Sequence, residues 1–330
     1  MKKIIVSIVA LIIYQSGFCQ KVIYSQVSPG EEVLLPGKVI VSGSLLLPQQ
    51  VLGQQVPAFI FINGSGDFSY RSNFHPQAEY TYCKDLAELL LSRGYAVFFL
   101  EKRGINQAGG NWRKAGFRQY ATDAARAIEY LKQRPEIDAT QIGLIGHSQG
   151  GYVAQVVAAE NPDDISFLIN LVGPAQSVHQ QVLFDMHNQY SCKGYNGRKL
   201  KFKMSMLKIS LAVIKTSSYL VKPIFLSHVI RHNPSRYIPR ITCPILTVYA
   251  ENDYMVDDIG NTQLMTQLLW NSNEQHWIHT IEGVNHQFVR SELCHNWNEL
   301  DKTVHPELFS LINNWLDEVN PILANNNPIQ

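Results

Sequence analysis

The pentapeptide Gly146-His147-Ser148-Gln149-Gly150 constrains this chain more than any other stretch. It has the form G-x-S-x-G, and its two flanks differ in kind. Gln141-Ile142-Gly143-Leu144-Ile145 before it reads as a buried strand. Gly151-Tyr152-Val153-Ala154-Gln155-Val156-Val157-Ala158-Ala159 after it reads as a helix. A strand that turns into a helix within one residue needs a sharply bent backbone, with small residues on either side of the bend to avoid clashes. The bend lifts the Ser148 hydroxyl out of the sheet and aims the positive end of the following helix at the reacting centre. The pentapeptide alone recurs by chance; between a strand and a helix it is a specific signal.

The same alternation runs through much of the chain. Residues 22 to 56 read as antiparallel β structure, with a strand over 38–48 that stops at Pro48. Ala58-Phe59-Ile60-Phe61-Ile62 and Tyr95-Ala96-Val97-Phe98-Phe99-Leu100 are continuous apolar runs, as expected of parallel strands buried on both faces. Helical segments are expected over 83–91, 120–133 and 307–319, and further strands over 166–172, 244–250 and 276–281. Strands alternating with helices predict an α/β fold, a mostly parallel central sheet with helices on both faces. Sites in such sheets lie beyond the carboxyl ends of the strands. Asn63-Gly64-Ser65-Gly66, Ser148, Asp253 and His286 all fall at such ends.

A serine hydroxyl needs a base to take its proton, and the base needs an acid to fix its tautomer. His286, just past the last strand, is the candidate base. Of the other histidines, His276 and His279 fall within a strand. His75, His187, His228 and His232 have no strand-end turn around them. His147 adjoins Ser148, but its side chain is expected to point away. Asp253, after the strand over 244–250, is the candidate acid, with Asp257 and Asp258 one helical turn further on as the fallback. Charge developing on a substrate carbonyl needs preorganised N–H donors. The backbone N–H of Gln149 is one candidate; the turn after Ile62 supplies the second, from Ser65 or else Gly66.

Several function classes are excluded by composition. No C-x-x-C or His/Cys cluster suggests a metal site, so neither metal nor cofactor is expected. The glycine-rich turn lacks the G-x-x-x-x-G-K-[ST] pattern of a phosphate cradle. Basic and acidic residues nearly balance, 28 Lys and Arg against 27 Asp and Glu. No stacking pattern or nucleic-acid module accompanies the charge, so no nucleic-acid partner is expected. Lys2 and Lys3 followed by an apolar stretch over 4–14 read as a signal peptide over 1–19, implying export to a periplasm or beyond. Acylation at Cys19 and an uncleaved membrane anchor are the rivals. Of the cysteines left, Cys83, Cys192, Cys243 and Cys294, sequence cannot choose a pairing, and buried thiols are the default.

Three further segments complete a pattern: Asn63-Gly64-Ser65-Gly66-Asp67, Glu101-Lys102-Arg103-Gly104, and Tyr130 to Asp138 leading into the pentapeptide. With them the chain resembles the α/β-hydrolase superfamily, over roughly 30–175 and 240–320. It is most similar to bacterial exported serine hydrolases of the esterase, serine aminopeptidase and dienelactone hydrolase groups. The order Ser148, Asp253, His286 matches that superfamily's nucleophile–acid–base order. The resemblance implies acyl transfer to water through an acyl-enzyme but does not fix the substrate; a carboxylic ester is the expectation. An aminopeptidase, a thioesterase or a non-catalytic binding protein on the same scaffold are the alternatives. Relatives usually have His at Asn63 and a Gly-Val-Gly-type turn at Gly104-Ile105-Asn106.

About seventy residues separate the strand ending near Val172 from the one starting near Pro244, far more than a crossover needs. The chain therefore divides into a core over 20–173, an insertion over 174–240 and a second core part over 241–330. In similar proteins such an insertion forms a helical cap over the site. Its charge is one-sided: eleven Lys and Arg and no Asp or Glu between Met186 and Ala250. One reading has this cap attract anionic substrates or rest on a membrane surface, with Met204, Met206, Leu207, Leu211 and Ile214 lining an acyl pocket or touching lipid. The other is a solvated basic face balanced by acidic surface elsewhere.

Overall fold

The computed structural model describes residues 28–49, 54–222, 224–270 and 276–320. The signal-peptide segment over 1–19 lies outside them. Eight strands form one sheet: β1 Glu31–Leu35, β2 Val41–Leu46, β3 Val56–Ile62, β4 Ala96–Leu100, β5 Ile137–His147, β6 Phe167–Leu171, β7 Ile245–Ala250 and β8 His276–Ile281. Their spatial order is β1-β2-β4-β3-β5-β6-β7-β8. β1 and β2 run antiparallel to their neighbours, and the rest are parallel.

Period-two alternation explains why the apolar runs are continuous. Ala58, Ile60 and Ile62 of β3, with Ala96, Phe98 and Leu100 of β4, face one core layer. Phe59, Phe61, Val97 and Phe99 face the other. The first layer is covered by helices α2 Phe117–Lys132, α3 Gln149–Glu160 and α7 Asp258–Leu269. The second is covered by α1 Tyr82–Ser92 and α8 Pro306–Val319. Gly143 has a packing reason: a Cβ there would lie 2.5 Å from the Phe59 ring.

Among the described residues three α-helices lie between β6 and β7: α4 Val178–Cys192, α5 Gly197–Ser217 and α6 Phe225–Val229. Ser177 caps α4 and exchanges hydrogen bonds with Gln180. The cysteines depart from the default. Cys192, at the end of α4, is joined to Cys294 across 102 residues, while Cys83 and Cys243 are buried thiols. Two half-cystines so distant in sequence leave no local pattern from which to read their pairing.

Candidate active site

Five carboxyl-terminal strand ends converge, and the backbone at the centre is bent as the pentapeptide requires. Ser148 sits between β5 and α3 at φ 55°, ψ −117°, a region that costs a non-glycine residue on the order of 1–3 kcal/mol. Its N–H donates to the Leu171 carbonyl at 2.8 Å and its carbonyl accepts from Gly151 N–H at 2.9 Å. The flanking glycines are steric requirements. A Cβ on Gly146 would stand 2.5 Å from the Gly150 carbonyl oxygen, and one on Gly150 would stand 2.0 Å from that of Ile62.

His286 follows β8 in a turn pinned by Asn285, whose side-chain oxygen accepts from the N–H groups of Gln287 and Val289. Its ring lies 2.5 Å, Nδ1 to Oδ2, from Asp253. Asp253 follows β7 and is itself fixed, since its Oδ1 accepts from Met255 N–H at 2.7 Å and Val256 N–H at 3.0 Å. Both groups are almost wholly buried. A carboxylate held this way takes the Nδ1 proton of His286 as its third hydrogen bond and leaves Nε2 as the acceptor. Asp257 is engaged elsewhere. It caps α7 through Gly260 N–H and accepts from Gln176 Nε2.

Ser148 and His286 open onto one cavity of about 450 Å³, within the range of small-molecule sites. Asn63, Gly64 and Ser65 form part of its wall; Gly66 and Gln149 are not among the lining residues. Gln149 is the first residue of α3, so its N–H has no partner four residues back within the helix. The rest of the wall is largely aromatic, with Phe61, Phe68, Tyr80, Tyr82 and Trp297.

The turn after β3 is braced from below by Lys102, two residues past β4. Its buried Nζ donates to the carbonyls of Gly64 and, at 2.9 Å, Gly66. Burial pushes the Lys102 ammonium down to about 7, against the pull of Asp67 and Glu101. Glu101 beside it is buried, and burial raises its carboxyl although Ser69, Asn106 and Arg71 all donate to it. Asn63 is also buried.

Two expectations are corrected. His147 does not point away. Its Nε2–H donates to the His286 carbonyl at 3.2 Å, its ring packs edge-on to the His286 ring, and it lines the cavity. Burial, with His286 beside it, pushes the His147 imidazole down to about 3, so it stays neutral and serves as a fixed donor. The inserted helices do not line the cavity. Leu211 is buried in the core, with Leu207 and Ile214 packed against it, and neither Met204 nor Met206 reaches the wall. The pocket is assembled instead by the loop between β3 and α1 and by the loop after β8. Lys102 stands out in the sequence only as part of the Glu101-Lys102-Arg103-Gly104 segment, and the aromatic wall carries no periodic signal.

Two family models match the chain: serine aminopeptidase S33 over residues 78–223 and the dienelactone hydrolase family over residues 221–316. Protein bem46 of Schizosaccharomyces pombe is 38% identical over 73 residues, a stretch spanning 22% of this chain and only 23% of that protein. Among solved structures, Est1E from Butyrivibrio proteoclasticus with bound ferulic acid superposes at TM-score 0.55 and 17% identity, covering 87% of this chain and 98% of Est1E. Dipeptidyl peptidase 4 of Porphyromonas gingivalis superposes at TM-score 0.58 and 17% identity, covering 89% of this chain and 36% of that one. At such identities the structural likeness establishes the fold alone. The two family models overlap at residues 221–223 and both describe hydrolases, and the chain carries the fold and the family models of the α/β-hydrolase superfamily.

Proposed function

We propose that the protein hydrolyses carboxylic esters through a Ser148-His286-Asp253 triad. The observation that supports this best is the buried Asp253–His286 hydrogen bond opening onto the cavity that Ser148 lines. In this reading His286 Nε2 accepts the Ser148 proton as Oγ bonds to the carbonyl carbon. The tetrahedral oxyanion is met by the N–H groups of Gln149 and Ser65. Collapse breaks the C–O bond to the leaving alcohol, which takes the proton from His286. Water then loses a proton to His286, attacks the acyl-enzyme and releases the acid and Ser148. The aromatic wall suits an apolar or aromatic acyl group, and no metal or cofactor enters any step.

Asp185 favours a second reading. It lies on α4, close enough to His286 to feel its charge, and burial raises its carboxyl to about 6. Asp185 does not line the cavity, but its carboxyl is near enough to the site to attract a substrate α-ammonium, the group that amide cleavage at a peptide N-terminus requires. A fluorophosphonate probe should label the protein and not its Ser148→Ala variant. A panel of aryl and alkyl esters beside aminoacyl amides then decides the bond cleaved. Faster turnover of the amides would overturn the ester reading, and an unlabelled wild-type protein would overturn the catalytic one.

Lys102 gives this reading a pH signature. Lys102→Met should lower kcat roughly tenfold to a hundredfold with little change in KM, because the brace acts on the oxyanion turn rather than on substrate binding. The lysine's folded value, about 7, lies below its ordinary 10.5. Between these limits the unfolded chain binds one more proton, so wild-type stability should rise with pH from neutral toward 10. Urea melts at several pH values should show that slope in wild type and a flatter one in Lys102→Met. Unchanged kcat would remove Lys102 from the oxyanion brace.

We infer export as well. The Cys192–Cys294 disulfide supports an oxidising compartment, in keeping with the signal peptide read over 1–19.

A further inference from the structure

The outward face of α5 violates the rule that a helix packed on a core shows water a polar side. Its inner face is already satisfied by Leu207, Leu211 and Ile214 packed into the core. Phe202, Ile209 and Val213 lie on the opposite side, within about 40° of one another at 3.6 residues per turn. They are 67%, 56% and 60% exposed. The chain then leaves the helix through Tyr219, Leu220 and Val221, all exposed, Leu220 at 90%. Among the described residues, six of the eleven large hydrophobics that are exposed fall in these twenty positions. Scattered surface apolar residues need no explanation, but a contiguous set of this kind marks a contact.

A basic rim surrounds the patch. Arg198, Lys199, Lys201, Lys208, Lys215 and Lys222 are exposed around it, and no Asp or Glu occurs between Met186 and Ala250. Among the described residues the ion pairs lie elsewhere, on side chains such as Arg71, Arg103, Lys132 and Arg134. Acidic surface elsewhere in the chain therefore does not neutralise this face. No helix of the described residues is long and apolar enough to cross a membrane.

We propose that this face of α5, with the turn over 218–222, is a docking surface for a bilayer that carries anionic headgroups. An apolar strip flanked by lysines matches an interfacial helix, with apolar side chains entering the headgroup boundary and amines reaching phosphates. A second copy of the chain fits less well, because a two-fold contact would set lysine against lysine. A nucleic acid would leave the apolar strip unused. The inference stands apart from the hydrolase reading, since none of these residues belongs to the triad or lines the cavity.

The test is flotation of the purified protein with vesicles of phosphatidylcholine alone or mixed with phosphatidylglycerol, using Ser148→Ala so that no turnover alters the lipid. The protein should float with the anionic vesicles and not the neutral ones, and added salt should weaken binding. Phe202→Ser with Leu220→Ser, and separately Lys199→Gln with Lys201→Gln and Lys208→Gln, should each weaken binding about tenfold or more. These side chains are exposed, so the variants should keep the wild-type melting midpoint and, in the Ser148 background, the turnover of a small soluble ester. Absence of flotation, equal flotation with both vesicles, or variants that bind as well as the parent would overturn the proposal. So would a dimer abolished by Leu220→Ser in a protein that ignores vesicles.

Discussion

Alanine at Ser148 is expected to lower kcat/KM on an ester by on the order of 10⁴- to 10⁶-fold. The expectation comes from the way the site is built rather than from the serine alone. The hydroxyl stands at a backbone conformation that costs energy, and that conformation survives only because Gly146 and Gly150 let helix and strand approach so closely. In the proposed mechanism the first proton that His286 takes is the one on Oγ, so without Oγ the histidine has no nucleophile to activate. Removing either member should therefore cost nearly as much as removing both, so Ser148→Ala with His286→Ala should be no worse than either single change. Residual catalysis would come from the N–H donors and from binding. Purified variants assayed with a saturating aryl ester, alongside thermal melts to show that the fold persists, check this. A Ser148→Ala enzyme within tenfold of wild type would mean that another group attacks the carbonyl.

That centre was legible in the sequence because its parts are local. Five residues define the elbow, and Ser148 and Asp253 each follow a continuous apolar run typical of a buried strand, whereas the strand before His286 carries His276, His279 and Thr280 and is half-buried. The core strands were legible for the same reason, Ala58–Ile62 and Ala96–Leu100 being apolar on both faces of the pleat. The start of β5 was not, since Ile137–Gln141 carries Asp138 and Thr140 at the sheet margin and lacks the apolar run. Strand order is non-local too: β4 lies between β2 and β3, and nothing in either strand says so.

What sequence missed depends on side-chain direction and on loops. His147 looked harmless because alternation along a strand puts neighbours on opposite faces, yet it is the last residue of β5 and the alternation ends there. The acyl wall was assigned to the insertion because length and apolar content suggested a cap. Phe68, Tyr80 and Trp297 come instead from segments between the strands and α-helices with no period to read, and Tyr82 is the first residue of α1. Tyr80 reaches the loop that carries His286 directly, donating through its hydroxyl to the Gln287 carbonyl at 3.0 Å. Lys102 was visible only as part of a motif, and its task became apparent once Gly64 and Gly66 stood above it.

Asp253→Asn should lower kcat by about 10⁴-fold while leaving the fold and the cavity intact. An amide has the size of the carboxylate, but it cannot accept at both positions that Asp253 uses. Oδ1 must still receive the Met255 and Val256 N–H groups, which are 2.7 and 3.0 Å away. The amide oxygen takes that place, and the NH₂ then faces His286 Nδ1. A donor there forces Nδ1 to be the acceptor and moves the ring proton to Nε2, where the serine proton has to go. The imidazolium formed during attack also loses the charge that stabilises it. Asp257→Asn supplies the contrast, because Asp257 holds the start of α7 and Gln176, not the histidine. Asparagine caps a helix nearly as well as aspartate, so its kcat should stay within a few-fold of wild type. Single-turnover assays on the two variants separate these outcomes. If Asp257→Asn were the crippled enzyme and Asp253→Asn the active one, the acid would belong one helical turn further along the chain.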